Sequence, residues 1–275
     1  MTAMEPPADA KVVLPRIEEL GRDLLQVSNG QRVLSVARPL FCFAAFFVFA
    51  AQGWWVLAVA SAAGLMFITY VSTSHDLVHR TLGLPRGINE VLLAVIEALV
   101  LRSGHAFRLT HLHHHRRFPE HDDIEGAAAH MPWWRALLEG VILQPRLFGW
   151  AWKRARLGER RWMAAEAVWI CGAITASVWL WPHSPVFIVY VGLVLTSGWL
   201  YPFATVWLPH RAHGETVLQQ THAVRGRWVP EIFLQHTYHL EHHLYPSVSS
   251  HQWPELARRL DGYLAAQGVK PVRVP

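Results

Sequence analysis

Four long apolar runs, at 36–51, 54–73, 163–181 and 186–208, limit most strongly how this chain can fold. A bilayer core about 30 Å thick is crossed by roughly 20 residues of helix, and each run comes close to that length. Only Gln52 and Gly53 separate the first two runs, and only the stretch from Pro182 to Pro185 separates the last two. They read as two helical hairpins with short outer turns. Charged residues make up only 16% of the chain, against about 25% in soluble domains. Many of the 14 tryptophans stand at the ends of apolar runs, where an amphipathic ring suits a membrane interface. The expected class is an all-α integral membrane protein, not a soluble basic one.

Charge orients the hairpins. Neither tip carries any of the 25 Lys and Arg residues, so the positive-inside rule places both termini and the central loop in the cytoplasm. Of the 18 histidines, only His183 falls at an outer tip. The expected division is a cytoplasmic N-terminal segment, 1–33, and a membrane domain, 34–275, whose cap comes from 74–162 and 209–275. The N-terminal segment is polar, with Pro6, Pro7 and Pro15, and reads as no secretory leader. Residues 88–101 are apolar but short and contain Glu90 and Glu97, which predicts a re-entrant or interfacial helix. Residues 132–156 mix tryptophans with Arg135, Arg146, Lys153 and Arg154, as in a helix lying among lipid headgroups. An amphipathic helix is predicted over 252–266. No internal repeat is evident. Cys42 and Cys171 lie in apolar runs and read as small buried hydrophobes.

Three histidine clusters carry the chemistry: His75 and His79; His111, His114 and His115; His239, His242 and His243. On a helix, positions i, i+3 and i+4 share a face, so each cluster presents its imidazoles together. The hairpin topology brings all three to one membrane face. Neutral imidazole binds iron, zinc and copper, whereas eight buried imidazoles without a metal would leave polar nitrogens unpaired. Four to six ligands saturate one ion, so eight histidines imply two, and two non-haem irons suit redox chemistry. Asp76, Asp122, Asp123, Glu125 and Glu241 are the nearby carboxylates able to take the other ring N–H of a ligating histidine. His113 lies on a different helical face. His105, His130 and His251 are isolated, and a surface or hydrogen-bonding role is expected for each.

The text around the clusters resembles the membrane fatty acid desaturase superfamily, with its HxxxH, HxxHH and HxxHH boxes: SHDLVH from Ser74, THLHHHR from Thr110 and YHLEHHLYP from Tyr238. The resemblance runs from the second apolar run to about residue 260. It implies four spans, a cytoplasmic cap and a di-iron centre held almost wholly by histidine. It also implies a ninth ligand after the fourth span, where His210 stands; His213, His222 and His236 are the alternatives. Some acyl desaturases carry asparagine four residues before this histidine, and this chain has Val206 there.

The resemblance further implies an O2-dependent enzyme that removes hydrogen from an unactivated C–H bond of a lipid, with no acid–base side chain needed beyond the metal ligands. Fatty-acyl desaturation is the leading expectation, and carotenoid β-ring hydroxylation or ketolation the alternative. Electrons must come from outside, because the chain has no glycine-rich dinucleotide motif and no cysteine set for an iron–sulfur cluster. Arg116, Arg117, Lys153, Arg154, Arg160 and Arg161 offer a basic surface to an acidic ferredoxin or cytochrome, or to anionic lipid. No HExxH motif is present, which argues against a membrane zinc protease. The ligands avoid mid-membrane positions, which argues against a metal transporter.

Overall fold

The computed structural model describes residues 12–211 and 213–275. Pro6 and Pro7 lie outside the described residues. Within them the protein is helical except for one short parallel strand pair, Val224–Arg225 with Val272–Arg273. Four helices are long and apolar enough to cross a membrane.

Helix α1 (Asn29–Ala51) starts at Ser28, whose Oγ accepts from the Gln31 N–H while the Gln31 side chain accepts from the Ser28 N–H. This reciprocal cap satisfies donors that the first helical turn leaves free, so the helix begins well before the apolar run. Gly53 turns the chain with φ 74°, and α2 (Trp55–His79) returns antiparallel to α1. The second apolar run ends at 73, but the helix runs on through the first histidine pair. A wide π turn, Thr69–Thr73, interrupts it just before the pair. One extra residue rotates everything beyond it by about 100°, so the faces of the apolar span and of His75 are set independently.

Helix α3 (Arg86–Leu99) buries Asn89, Leu93, Ile96 and Glu97 and leaves Ile88, Val91 and Val95 exposed. Helix α4 (Gly104–Arg117) carries the second histidine cluster and is capped by Ser103 Oγ, which accepts from the Ala106 N–H. Gly104 permits α4 to meet α3 closely, since a Cβ there would lie 2.9 Å from the Leu93 carbonyl. Residues 133–154 form helix α5 (Trp133–Arg154), and α6 (Leu157–Leu180) is the third long apolar helix. Helix α7 (Val186–Trp207) ends in a second π turn, Pro202–Trp207, immediately before His210. At Gly140 of α5, an added Cβ would fall 1.9 Å from the Trp199 carbonyl of α7, so that crossing requires glycine. Helices α8 (His239–Leu244) and α9 (Trp253–Ala266) complete the chain.

Two of the apolar cores among the described residues are large. One joins the long helices through Phe46, Leu65, Met66, Leu93, Tyr190 and Val194. The other lies under α8 and α9, with Leu240, Trp253, Leu256 and Leu260, and includes Val12, Leu14, Ile17, Leu20 and Leu24 from the N-terminal segment. Arg259 of α9 clasps Asp23 at 2.6 Å, and Tyr245 donates to the Pro15 carbonyl. Residues 12–28 are thus part of the cap's packing. Around the long helices, large apolar side chains face outward: Phe41 is 72% exposed, Val56 83%, Val168 73% and Trp179 73%. So much exposed apolar surface fits lipid, not water, as the solvent.

Candidate metal centre

The π turn of α2 delivers His75 and His79, α4 delivers His111, His114 and His115, and α8 delivers His239, His242 and His243. The turn after α7 adds His210. These nine side chains converge as two groups. In one, ligand atoms of His75, His79, His111, His115 and His242 all lie within 4.8 Å of one another. His242 Nε2 is 2.9 Å from His75 Nε2 and 2.7 Å from His115 Nε2. In the other, His114, His210 and His243 meet the same limit. His239 Nε2 adds a fourth nitrogen, 3.3 Å from His210 Nε2 and 3.2 Å from His243 Nε2.

The proton inventory shows that these groups suit metal ions. His114 Nδ1 is 2.6 Å from Asp123 Oδ2, and His210 Nδ1 is 2.8 Å from the Val206 carbonyl. Each acceptor takes the Nδ1 proton, which leaves the neutral ring with a lone pair at Nε2. Yet these two Nε2 atoms lie 3.0 Å apart. Two lone pairs facing each other at that distance suit a cation held between them. Nitrogens about 2.1 Å from a shared ion and at right angles to one another would be about 3 Å apart. His79 Nε2 is likewise buried in its group with no hydrogen-bond partner.

Electrostatics favour the neutral form at five of the rings. Burial, followed by repulsion from neighbouring rings, holds the pKa values of His111, His115, His239, His242 and His243 well below the usual imidazole value. At His114 burial also acts downward, but the adjacent Asp123 carboxylate outweighs it and raises the pKa. Glu125 accepts from His111 Nδ1 at 2.9 Å and from the Tyr201 hydroxyl at 3.2 Å. Burial is the main cause that pushes its pKa up to about 7.

The carboxylates that meet imidazoles of the centre are therefore Asp123 and Glu125. Asp76 accepts instead from Thr81 Oγ1 and from the Ser250 N–H and hydroxyl, tying α2 to the entry of α9. Asp122 pairs with Arg117 at the surface, and Glu241 lies 2.7 Å from Arg225. Val206 contributes its carbonyl to His210, while its side chain packs with Ala128 and Ala136. His222 meets Arg211, and His213 lines an open vestibule of about 790 Å³ beside His210. His113 packs against Trp150. The isolated histidines all make hydrogen bonds: His105 with Glu90 and Glu166, His130 with the Pro119 carbonyl, His251 with Ser35.

Tyr201 and Arg102 were invisible to the spacing argument. Arg102 is buried against Glu97, with its guanidinium over the rings of Tyr70, Phe107 and Tyr201. It braces the wall below His111, whose ring centre is 5.2 Å from that of Phe107.

Removing Glu125 tests the support of His111. Glu125→Ala leaves the His111 Nδ1 proton and the Tyr201 hydroxyl without their acceptor. Loss of such a partner weakens metal binding by about 10–100-fold. Bound metal is expected to leave at correspondingly lower chelator concentration, measured by elemental analysis after dialysis. Wild-type retention would show that Glu125 does not support the metal.

An all-helical membrane protein with two buried, converging imidazole groups defines a class of membrane di-metal proteins. Residues 52–273 match the fatty acid desaturase family, and the chain belongs to that family of membrane oxidoreductases. No curated protein matches the sequence.

Proposed function

We propose that this protein is an O2-dependent, non-haem di-iron enzyme that introduces a double bond into a fatty acyl chain. The observation that supports it most is the pair of all-imidazole groups at the ends of apolar helices, a donor set suited to a redox metal at a depth lipid can reach. His75, His79, His111, His115 and His242 would hold one iron; His114, His210, His239 and His243 would hold the other. Once bound, the irons supply the oxidising power needed to break an unactivated C–H bond with O2 as co-substrate.

The remaining work belongs to the chain. Asp123, Glu125 and the Val206 carbonyl fix the tautomers of His114, His111 and His210, so that Nε2 faces the metal. Phe107, Tyr70 and Tyr201 form a dry wall beside the centre. Behind Phe107 lies a largely apolar pocket of about 270 Å³, lined by Leu147, Phe148, Ile170 and Leu195 among others. Its outer residues Cys171 and Leu195 are exposed on the lipid-facing helices. A pocket of this kind accepts part of a hydrocarbon chain directly from the bilayer.

The charge asymmetry supports a cytoplasmic side for both termini and the metal centre. Exposed Arg116, Arg117, Lys153, Arg154 and Arg161 then face the compartment of a soluble ferredoxin or cytochrome donor, which an acidic surface would steer to them.

Expression in a host that makes β-carotene, with fatty acids and pigments both profiled, tests the substrate. New unsaturated acyl chains with unchanged pigments are expected. A new hydroxylated or ketolated carotenoid with unchanged acyl chains would replace the acyl reading with ring oxidation. Purified protein should carry two irons per chain, and stoichiometric zinc without oxygen uptake would remove the redox reading.

A further inference from the structure

A tenth histidine has no task in this scheme. The chain leading to α8 passes through Leu234 and Gln235, both with left-handed backbone at φ 48° and 69°. Residues other than glycine rarely adopt this conformation, and it persists only where the surroundings enforce it. Phe233, just before them, packs edge-on against Phe67 of α2 with ring centres 5.9 Å apart. The strained pair turns the next side chain, His236, inward.

His236 is only 8% exposed, and neither ring nitrogen has a hydrogen-bond partner. The Val71 carbonyl lies beside the ring without hydrogen-bond geometry. A buried imidazole left in this state is costly and calls for a partner that occupies the site in use. Its surroundings say which kind. The ring centre is 5.1 Å from that of His239 and 6.3 Å from that of His75, so it touches one member of each imidazole group. Val71 lies one turn before His75 on the bilayer side. His236 therefore flanks the centre where the apolar helices meet it.

Unlike His239, whose Nε2 meets those of His210 and His243, His236 has neither nitrogen within hydrogen-bond reach of either imidazole group, so it is not placed as a ligand. The group beside it has four imidazoles against five in the other. Four nitrogens leave an iron that favours five or six ligands with an open position. We infer that His236 donates a hydrogen bond to a small oxygen- or nitrogen-donor ligand bound at the four-histidine iron. It is a positioning residue for whatever occupies that open place, and the strain in Leu234 and Gln235 is what holds it there. This rests on the di-iron reading.

The test uses full-length, iron-loaded, air-oxidised protein in detergent, with azide as the probe. Azide fills an open iron position and gives an absorption band that can be titrated without turnover. His236→Phe keeps a ring but no donor, whereas His236→Gln keeps a donor and is the safer variant for folding. With two irons retained, His236→Phe should weaken azide binding about tenfold or more, equivalent to about 1.4 kcal/mol. His236→Gln should stay within about threefold of wild type, by the same scale.

Wild-type azide affinity in His236→Phe would overturn the inference while leaving the di-iron reading intact. Loss of an iron from His236→Gln would also overturn it, since His236 would then act as a ligand. A wild-type chain that takes up no iron would bring down both readings.

Discussion

Replacing His242 with alanine is expected to abolish turnover while the helical fold survives. Its Nε2 sits between those of His75 and His115, at 2.9 and 2.7 Å, so three separate elements meet at this one ring. Losing a residue that merely supports a ligand costs about 10–100-fold, and losing the ligand itself costs more. Turnover below about 1% of wild type is expected on that scale, with iron falling from two per chain toward one. The cap keeps Leu240, Trp253 and Leu256 in its core, so circular dichroism should be unchanged. His113→Ala provides the contrast, because that ring packs on Trp150 away from both groups, and it should retain activity and both irons. Product analysis by gas chromatography with elemental iron analysis checks both variants. Wild-type turnover in His242→Ala would remove that residue from the centre.

The second large effect is on stability. Glu97 is fully buried and the Arg102 side chain nearly so, with Arg102 Nη2 donating to Glu97 Oε1 at 2.6 Å. Burying two charges is costly, and their pairing offsets that cost. Removing one partner alone leaves the other uncompensated and costs about 3–5 kcal/mol. Glu97→Gln should therefore lower the unfolding temperature in detergent by about 10 °C. Glu97→Leu combined with Arg102→Met removes both charges and should recover much of the loss. A single variant as stable as wild type, measured by thermal unfolding, would show that the pair is not a stabilising unit.

Much of the centre could be read from local spacing. The i, i+3 and i+4 pattern fixes which imidazoles share a helical face, because it follows from helix geometry alone. That selects the eight box histidines and passes over His113. The ninth, His210, came from the family resemblance, which implies a ligand just after the fourth span. The supporting carboxylates were only partly legible. Asp123 and Glu125 reach imidazoles, whereas Asp76, though next to His75 in sequence, turns to Ser250 across 174 positions of chain. Neighbours in sequence on a helix point in different directions, so adjacency does not predict contact. The role of Val206 was hidden for another reason: its carbonyl supports His210, and a main-chain acceptor leaves no mark on residue identity.

The sequence by itself determined the membrane class, the four apolar helices, the charge asymmetry and the imidazole sets, because each depends on local periodicity or composition. Tertiary structure decided the division into groups of five and four, the two π turns that aim His75 and His210, the packing of the N-terminal segment into the cap, and the inward turn of His236. These depend on contacts such as His75 with His242, 167 positions apart. Only the packed helices determine which nitrogen faces which, so no local pattern records it.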